Sequence, residues 1–166
     1  MLLPFLFLLA DVSMMSNQDC LRPAVTVATI VVRDGAFLCV EEETRNGIRI
    51  NQPAGHLEVG EAIAAAAVRE TLEETGYTVE PVALVGIYRW QMPASPTTFV
   101  RFAFEARIVS HDPARPLDAG IVCATWLDRD ALRSRRAEHR SPLVMRCVED
   151  YLAGRRMPLS LVTEVQ

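Results

Sequence analysis

The stretch QPAGHLEVGEAIAAAAVRETLEETGY, from Gln52 to Tyr77, joins a short loop, a run of alanines and a dense group of charges. The pattern predicts a helix that begins near Glu61 and ends at Gly76, which suits the left-handed conformation that often follows a helix. Alanine side chains are small, so the helix can lie close to a neighbouring sheet. The stretch therefore predicts a loop, a helix and a second loop, with the helix packed on a sheet.

The charges of this predicted helix lie on a different arc from its apolar stripe. At about 100° per residue, Glu61, Ala65, Val68 and Leu72 share one stripe, whose apolar members we expect to face the sheet. The charged arc spans roughly 140° by the same arithmetic. It contains Arg69, Glu70, Glu73 and Glu74. We expect this arc to face a groove rather than the core.

Within the charged arc, two carboxylates are close enough to repel each other. Glu70 and Glu74 are i,i+4 neighbours, whereas Arg69 and Glu73 form a favourable pair at the same spacing. A divalent cation between the two glutamates would remove the repulsion, and Mg²⁺ prefers oxygen ligands. Gly55 could offer its backbone carbonyl where a side chain would obstruct the approach. A solvated acidic helix face is the alternative that the charges alone leave open.

The spacing of these residues resembles the signature of the Nudix family, G-x5-E-x7-R-E-U-x-E-E-x-G-U, where U is a bulky apolar residue. Gly55, Glu61 and the run RETLEETGY from Arg69 to Tyr77 match every charged and glycine position. The one departure is Thr71 at the first U position, which affects packing and leaves the chemistry untouched. We refer to Gly55–Tyr77 below as the box.

The resemblance implies a fold and a set of residue roles. The implied fold is of the α/β class, a Nudix-type α/β/α sandwich with a mixed β-sheet, and the implied cofactor is Mg²⁺, with Mn²⁺ as a possible substitute. The implied catalytic residues are Glu70, Glu61 and Arg69. The implied metal ligands are Glu70, Glu73, Glu74 and the carbonyl of Gly55. Glu61 would position or activate water, Arg69 would hold the glutamates, and Glu70 is a candidate general base.

Segments outside the box are similar to the NudJ phosphatase branch of the family. They are NQPAGHLE in the loop, Arg89–Trp90, Val100–Phe104, Arg140–Val144 and Pro158–Leu159. This branch implies release of terminal phosphate from hydroxymethylpyrimidine pyrophosphate and from nucleoside tri- and diphosphates. Alternatives are a Nudix hydrolase acting on an oxidised nucleotide, a nucleotide sugar, a dinucleoside polyphosphate or an RNA 5′ end, and a non-catalytic binding module on the same fold.

Residues outside the box are candidates for binding the substrate. Trp90 and Phe99 could stack on a pyrimidine or nucleobase, or could belong to the core. Arg101 could reach a phosphate with its planar fork of donors, or could lie at the surface. Gln52, with Asn51 beside it, could contact the edge of a ring or belong to a structural turn. The candidate substrate-binding residues are therefore Gln52, Trp90, Phe99 and Arg101.

Composition restricts the partners of the chain. A formal charge of −4 over 166 residues argues against a general nucleic-acid binder, which relies on basic contacts to phosphate. A small phosphorylated molecule remains compatible, because a bound metal supplies positive charge. The four cysteines are scattered, without metal-ligand spacing, and so indicate reduced thiols and a cytoplasmic protein rather than a zinc site or disulfides. We expect no membrane association and a monomer, with a homodimer as the alternative.

The chain divides into one domain with short flanks. We expect an N-terminal extension over residues 1–22, a single Nudix domain over 23–162 and a tail over 163–166. The apolar run to Ala10 is shorter than the roughly 20 residues that span a bilayer. Met14 or Met15 is a candidate for the natural start, and a signal peptide is the alternative.

Strand patterns surround the box. The segment Ala24–Glu42, with the turn Asp34-Gly35, predicts a hairpin. ALVGIYRW, TTFVRFAFEARIV and IVCATWL predict three further strands. Near the C-terminus, Ser141 is a predicted N-cap, Pro142 lies at the first helical position and Gly154 lies just past the helix end.

Overall fold

The computed structural model describes residues 21–93 and 95–165. The expectations about the apolar N-terminal run and an early start therefore lie outside the described residues. The strands are β1 (Ala24–Ile30), β2 (Val32–Arg33), β3 (Ala36–Thr44), β4 (Gly47–Asn51), β5 (Ala54–His56), β6 (Tyr77–Gln91), β7 (Thr98–His111) and β8 (Ile121–Asp128). The helices are α1 (Ile63–Thr75), α2 (Arg129–Ser134) and α3 (Leu143–Leu152), with 3₁₀ turns at Arg136–Glu138 and Leu159–Leu161.

The strands form two four-stranded sheets. The first sheet has the order β5-β1-β7-β6, in which β1 and β7 run parallel and the other pairs antiparallel. The second sheet has the order β2-β3-β4, with β8 also paired to β3, and all of its pairs are antiparallel. The predicted mixed sheet is confirmed in the first of these.

The helices lie on opposite faces of the first sheet. Neighbouring residues of a strand point to opposite faces. On β6, Leu84 shares a core cluster with Ala66 of α1. The next residue, Val85, shares another cluster with Val144 of α3 and Ile50 of the second sheet. The result is the predicted α/β/α arrangement, with α1 on one face of the sheet and α3 on the other.

The predicted hairpin over Ala24–Glu42 is wrong in its extent. The turn at Asp34-Gly35 exists, with positive φ at both residues, but it joins only β2 to β3. The earlier part of the segment, β1, pairs with β5 and β7 in the other sheet. The continuous β-branched run carries no signal for the change of sheet, because a strand buried on both faces shows the same pattern in either sheet.

The helix of the box ends where the sequence predicts and begins two residues later. Its C-cap is Gly76, with φ 72°, whose N–H donates to the carbonyl of Leu72 at 2.9 Å. A Cβ at Gly76 would lie 2.6 Å from the carbonyl oxygen of Asp112. Both the conformation and the close approach therefore require glycine here.

The face of α1 that is buried differs from the predicted stripe. The buried residues are Ala66, Ala67, Glu70, Thr71, Glu74 and Thr75, whereas Ala65 is exposed and Leu72 is half-buried. Thr71, at the apolar position of the signature, bonds to the hydroxyl of Thr29 on β1 at 2.7 Å. The acidic arc thus turns inward because the sheet offers polar partners and a cavity on that side.

The C-terminal helix begins one residue later than predicted, at Leu143, with Pro142 rather than Ser141 at its N-cap. The N–H of Leu143 donates to the Ser141 hydroxyl at 3.2 Å, and Gly154 adopts φ 78° just after α3. Strands β6, β7 and β8 contain the three predicted segments, and β6 starts earlier because Tyr77 pairs with His111 directly after the helix. No helix within residues 21–93 and 95–165 is long and apolar enough to cross a membrane.

Candidate active site

Arg69 organises the carboxylates of the box. Its Nε and Nη2 atoms donate to the two oxygens of Glu61 at 2.8 and 2.9 Å, and its Nη1 atom donates to Glu70 and Glu73, both at 2.9 Å. Nη2 also donates to the carbonyl of His56 at 3.1 Å. The hydrogen bond from Arg69 holds the pKa of Glu61 below its usual value. One guanidinium thus links α1 to the loop that precedes it and fixes three carboxylates.

Glu70 and Glu74 are the two carboxylates of α1 that line a pocket with a volume of about 360 Å³. Each is only 9% exposed. Glu74 accepts a hydrogen bond from the N–H of Ala54 at 2.8 Å. Glu73, whose carboxylate also binds Arg69, is absent from the lining of this pocket. The structure therefore brings two of the three predicted glutamate ligands into one cavity.

The burial of these two glutamates disfavours their charged form. Burial raises the pKa of Glu74 to about 8, and the nearby carboxylates of Glu70, Glu42 and Asp118 add to the rise. Burial also raises the pKa of Glu70, although Arg69 acts in the opposite direction. Asp118 is held near the helix because its N–H donates to the carbonyl of Glu73 at 3.0 Å. Buried charges in proteins are paired or coordinate metal ions, so these two carboxylates are compatible with a bound cation.

Gly55 makes room for the Glu70 carboxyl group. A Cβ at this position would lie 2.1 Å from Cδ of Glu70, a distance at which atoms overlap. Gly55 also pairs with Val27 in the first sheet, so its backbone is not free to withdraw. The glycine of the signature is thus explained by the direct packing of Glu70 on the loop.

The donor set fits a hard divalent cation held in an open site. Across the described residues, no three acidic, histidine or cysteine side chains converge into a complete cage. Mg²⁺ usually keeps several waters and takes one or two protein carboxylates together with substrate phosphates. Two buried carboxylates, Glu70 and Glu74, at the wall of a solvent-accessible pocket match that requirement.

Three of the four predicted substrate-binding residues line the same pocket, namely Trp90, Phe99 and Arg101. The Trp90 and Phe99 rings stack on each other, with centroids 5.7 Å apart and an interplanar angle of 21°. Gln52 is not among the lining residues. It is 1% exposed, and its amide nitrogen donates to the carbonyl of Val144 at 2.7 Å.

The pocket is also lined by polar residues outside the predicted set of site residues, among them Thr26, Glu42 and Arg140. Asn51, which the sequence placed beside Gln52 as a candidate for contacting a ring edge, lines the pocket as well. Glu42 lies between Glu41 and Glu43 on β3. Side chains alternate between the two faces of a strand, so the sequence could have predicted that Glu42 faces the side opposite to Glu41 and Glu43. Nothing in the local sequence indicates which of the two sides is the pocket.

The comparisons with known proteins agree with this fold and pocket. A family model described as the NUDIX domain matches residues 21–147. The chain is 38% identical over 141 residues to phosphatase NudJ of Shigella boydii, which covers 85% of this chain and 91% of that protein. Phosphatase NudJ of Escherichia coli K12 gives the same identity and coverage. The structure of a NUDIX hydrolase from Nitrosomonas europaea is 50% identical, covers 87% of this chain and 98% of that chain, and superimposes with a TM-score of 0.84.

This chain belongs to the Nudix family. Within the family it resembles the NudJ phosphatases, as the segments outside the box predicted. It is a hydrolase that acts on the phosphorus anhydride bonds of pyrophosphates. Nudix hydrolases generally use a divalent metal ion, and the donor set at Glu70 and Glu74 is compatible with one.

Proposed function

We propose that this protein is a Mg²⁺-dependent phosphatase that releases the terminal phosphate from hydroxymethylpyrimidine pyrophosphate and from nucleoside tri- and diphosphates. Mn²⁺ is a possible substitute for Mg²⁺. The observation that carries the proposal is the placement of the buried Glu70 and Glu74 carboxylates in one pocket with Trp90 and Arg101. The similarity to phosphatase NudJ supports the phosphate-releasing reaction.

The box residues have separate tasks in this proposal. Glu70 and Glu74 hold the divalent ion, with Glu73 and the Gly55 carbonyl as assisting ligands. The bound ion supplies Lewis-acid chemistry, screening the charge of the diphosphate and lowering the pKa of a water molecule. Arg69 keeps Glu61, Glu70 and Glu73 in fixed positions through the hydrogen bonds described above. In this proposal Glu70 accepts the proton of the attacking water, and Glu61 helps to position or activate that water.

The remainder of the pocket holds the organic part of the substrate. One face of the Trp90 ring is covered by Phe99, and because Trp90 lines the pocket, it can stack on a heterocycle. Arg101, which lines the same pocket, supplies hydrogen-bond donors. Neither task requires Gln52, whose amide is engaged with Val144.

A larger nucleoside diphosphate derivative is the second candidate substrate. A neighbouring cavity of about 380 Å³ shares Trp90, Met92 and Arg140 with the first pocket and is lined also by Arg136. Such a cavity has room and positive charge for a second phosphorylated group. Product analysis separates the two candidates, because cleavage of the phosphate bridge in a nucleotide sugar or dinucleoside polyphosphate yields two phosphorylated organic products and no inorganic phosphate.

We also propose a monomeric cytoplasmic protein with reduced thiols. Burial raises the pKa of Cys39 to about 12 and that of Cys147 to about 11, which keeps these thiols protonated and unreactive. Light scattering coupled to gel filtration distinguishes a monomer from a homodimer.

The test of the proposed function is a substrate panel with separate detection of phosphate and pyrophosphate. The purified protein is incubated with Mg²⁺ and with hydroxymethylpyrimidine pyrophosphate, nucleoside tri- and diphosphates, nucleotide sugars and dinucleoside polyphosphates. We expect phosphate from the first two classes. Glu74→Gln should abolish turnover while leaving the fold intact, and Glu43→Gln, at an exposed position of β3, serves as the matched control. Pyrophosphate as the sole product, or full activity of Glu74→Gln, would contradict the proposal.

A further inference from the structure

Arg101 is a buried cation with few partners. It is 7% exposed and carries five N–H donors. Within the described part of the chain its guanidinium makes one hydrogen bond, from Nη1 to the side-chain oxygen of Asn51 at 3.4 Å, and its Nε atom is buried without an acceptor. Because an unpaired buried donor is costly, the pocket that Arg101 lines should receive an acceptor from the ligand.

Glu42 is the complementary group in the same pocket. Its Oε1 atom accepts a hydrogen bond from the amide nitrogen of Asn51 at 3.2 Å and lies 3.4 Å from Nε of Arg140. Both contacts fall on Oε1, which leaves Oε2 without a hydrogen bond to any residue in the described ranges. Glu42 therefore offers an acceptor to the pocket.

Asn51 holds these two groups at a fixed separation. Its oxygen accepts from Arg101 and its nitrogen donates to Glu42, and it is 5% exposed. Asn51 therefore stands between the N–H donors of Arg101 and the acceptor oxygens of Glu42. A phosphate group matches only the Arg101 end of this arrangement, because its negative charge would be repelled by Glu42.

We propose that Glu42 and Arg101, positioned by Asn51, recognise the edge of a heterocycle on which an N–H donor adjoins a hydrogen-bond acceptor, as in a 4-aminopyrimidine. Glu42 accepts from the exocyclic amine, Arg101 donates to the adjacent ring acceptor, and Trp90 stacks on the ring. This inference rests on the proposed function, since it concerns the organic part of the same substrate. It assigns Arg101 to the ring rather than to a phosphate, and it adds Glu42 as a residue that determines specificity.

The test compares two triphosphates that differ by one amine: cytidine triphosphate and its analogue with a 2-pyrimidinone base, which lacks the exocyclic amine. A hydrogen bond to a charged group discriminates by about tenfold or more, so we expect the wild-type protein to prefer cytidine triphosphate by that factor in kcat/KM, mainly through KM. Glu42→Gln should lower this preference at least fivefold. Glu43→Gln, which removes the same charge from the adjacent exposed position, should leave the preference as it is.

A binding measurement keeps this inference separable from the proposed function. Calorimetry without a divalent ion compares cytidine monophosphate with the corresponding 2-pyrimidinone nucleotide, and the same preference and the same loss in Glu42→Gln are expected. A wild-type protein that hydrolyses both triphosphates equally and binds both monophosphates equally overturns the inference and leaves the proposed function standing. A protein that shows the binding preference but releases no phosphate from any substrate overturns the proposed function alone. Circular dichroism and thermal unfolding of each variant establish that it is folded.

Discussion

The carboxylate of Glu164 accepts a hydrogen bond from the backbone N–H of Ile63 at 2.7 Å, across a sequence separation of 101 residues. Ile63 is the first residue of α1, and its N-cap residue, Ala62, provides no side-chain cap. The first N–H groups of a helix need acceptors from outside the helix, and a negative charge there is favoured by the helix dipole. The C-terminal segment therefore caps the helix that carries Glu70 and Glu74. From the sequence we predicted this segment to be a tail outside the domain.

Removing this cap should destabilise the protein. We expect Glu164→Ala to lower the free energy of unfolding by about 1 kcal/mol, the usual value of a helix cap, and the melting temperature by about 2 to 4 °C. Chemical and thermal unfolding measure both. Glu43→Ala, at an exposed strand position, is the control for loss of a surface carboxylate. Equal stability of the two variants would show that the Glu164 contact does not support α1.

We expect the contributions of the two hydroxyl groups that bond between α1 and β1 to the free energy of unfolding to be coupled. Thr29 and Thr71 are both fully buried and bonded at 2.7 Å. Thr71→Val leaves the Thr29 hydroxyl unpaired, so we expect a loss of about 1 to 3 kcal/mol in unfolding free energy. The double variant Thr29→Val with Thr71→Val should recover most of that loss, because neither side chain then buries an unpaired polar group. A double-mutant cycle by denaturant unfolding gives the coupling, and additive losses would contradict this account.

We expect Gly55 to be essential for activity because a side chain at this position would displace Glu70. A side chain at Gly55 overlaps the Glu70 carboxyl group, so Gly55→Ala should displace Glu70 and reduce kcat/KM by about 100-fold or more. Gly35→Ala is the control, since a Cβ there meets nothing within 4 Å although φ is 80°. It should lower stability through backbone strain and leave kcat/KM unchanged. Full activity in Gly55→Ala would refute the packing reason for this glycine.

Asp150 should contribute stability that is lost in acid. Burial raises its pKa, but hydrogen bonds from Arg146 and Tyr88 more than offset this effect, so the pKa of Asp150 lies below its usual value. A carboxyl group with a lowered folded-state pKa stabilises the protein above its unfolded pKa and loses that contribution as the pH falls through the folded value.

We therefore expect Asp150→Asn to lower the unfolding free energy by roughly 2 kcal/mol at pH 7. The difference from wild type should shrink as the pH falls below about 4, near the unfolded value for aspartate. Asp34→Asn, at an exposed turn with φ 51°, is the control because asparagine tolerates that conformation. Denaturant unfolding over a range of pH measures the effect, and a difference independent of pH would show that the charge of Asp150 is not responsible.

The parts of the fold that sequence predicted correctly depend on local spacing. Gly76 ends α1 because a left-handed residue is required there, and the start of α3 is predicted to within one residue because the restrained φ of Pro142 suits a helix start. These signals act over a few residues and so can be read along the chain. The change of sheet after β1 could not be read, because pairing with β5 and β7 is a choice between distant strands of similar composition.

The candidate site shows the same division. Sequence by itself determined the family, because the box is a local pattern of fixed spacing. It also predicted an acidic helix with Arg69 among its glutamates and a loop in which Gly55 must lack a side chain. Only the tertiary structure decided that Glu70 and Glu74 enter the pocket, that Gln52 turns away from it and that Glu42 faces it. The physical reason is that helical and strand periodicity place side chains on a common face, whereas contacts between residues far apart in the chain decide what that face meets.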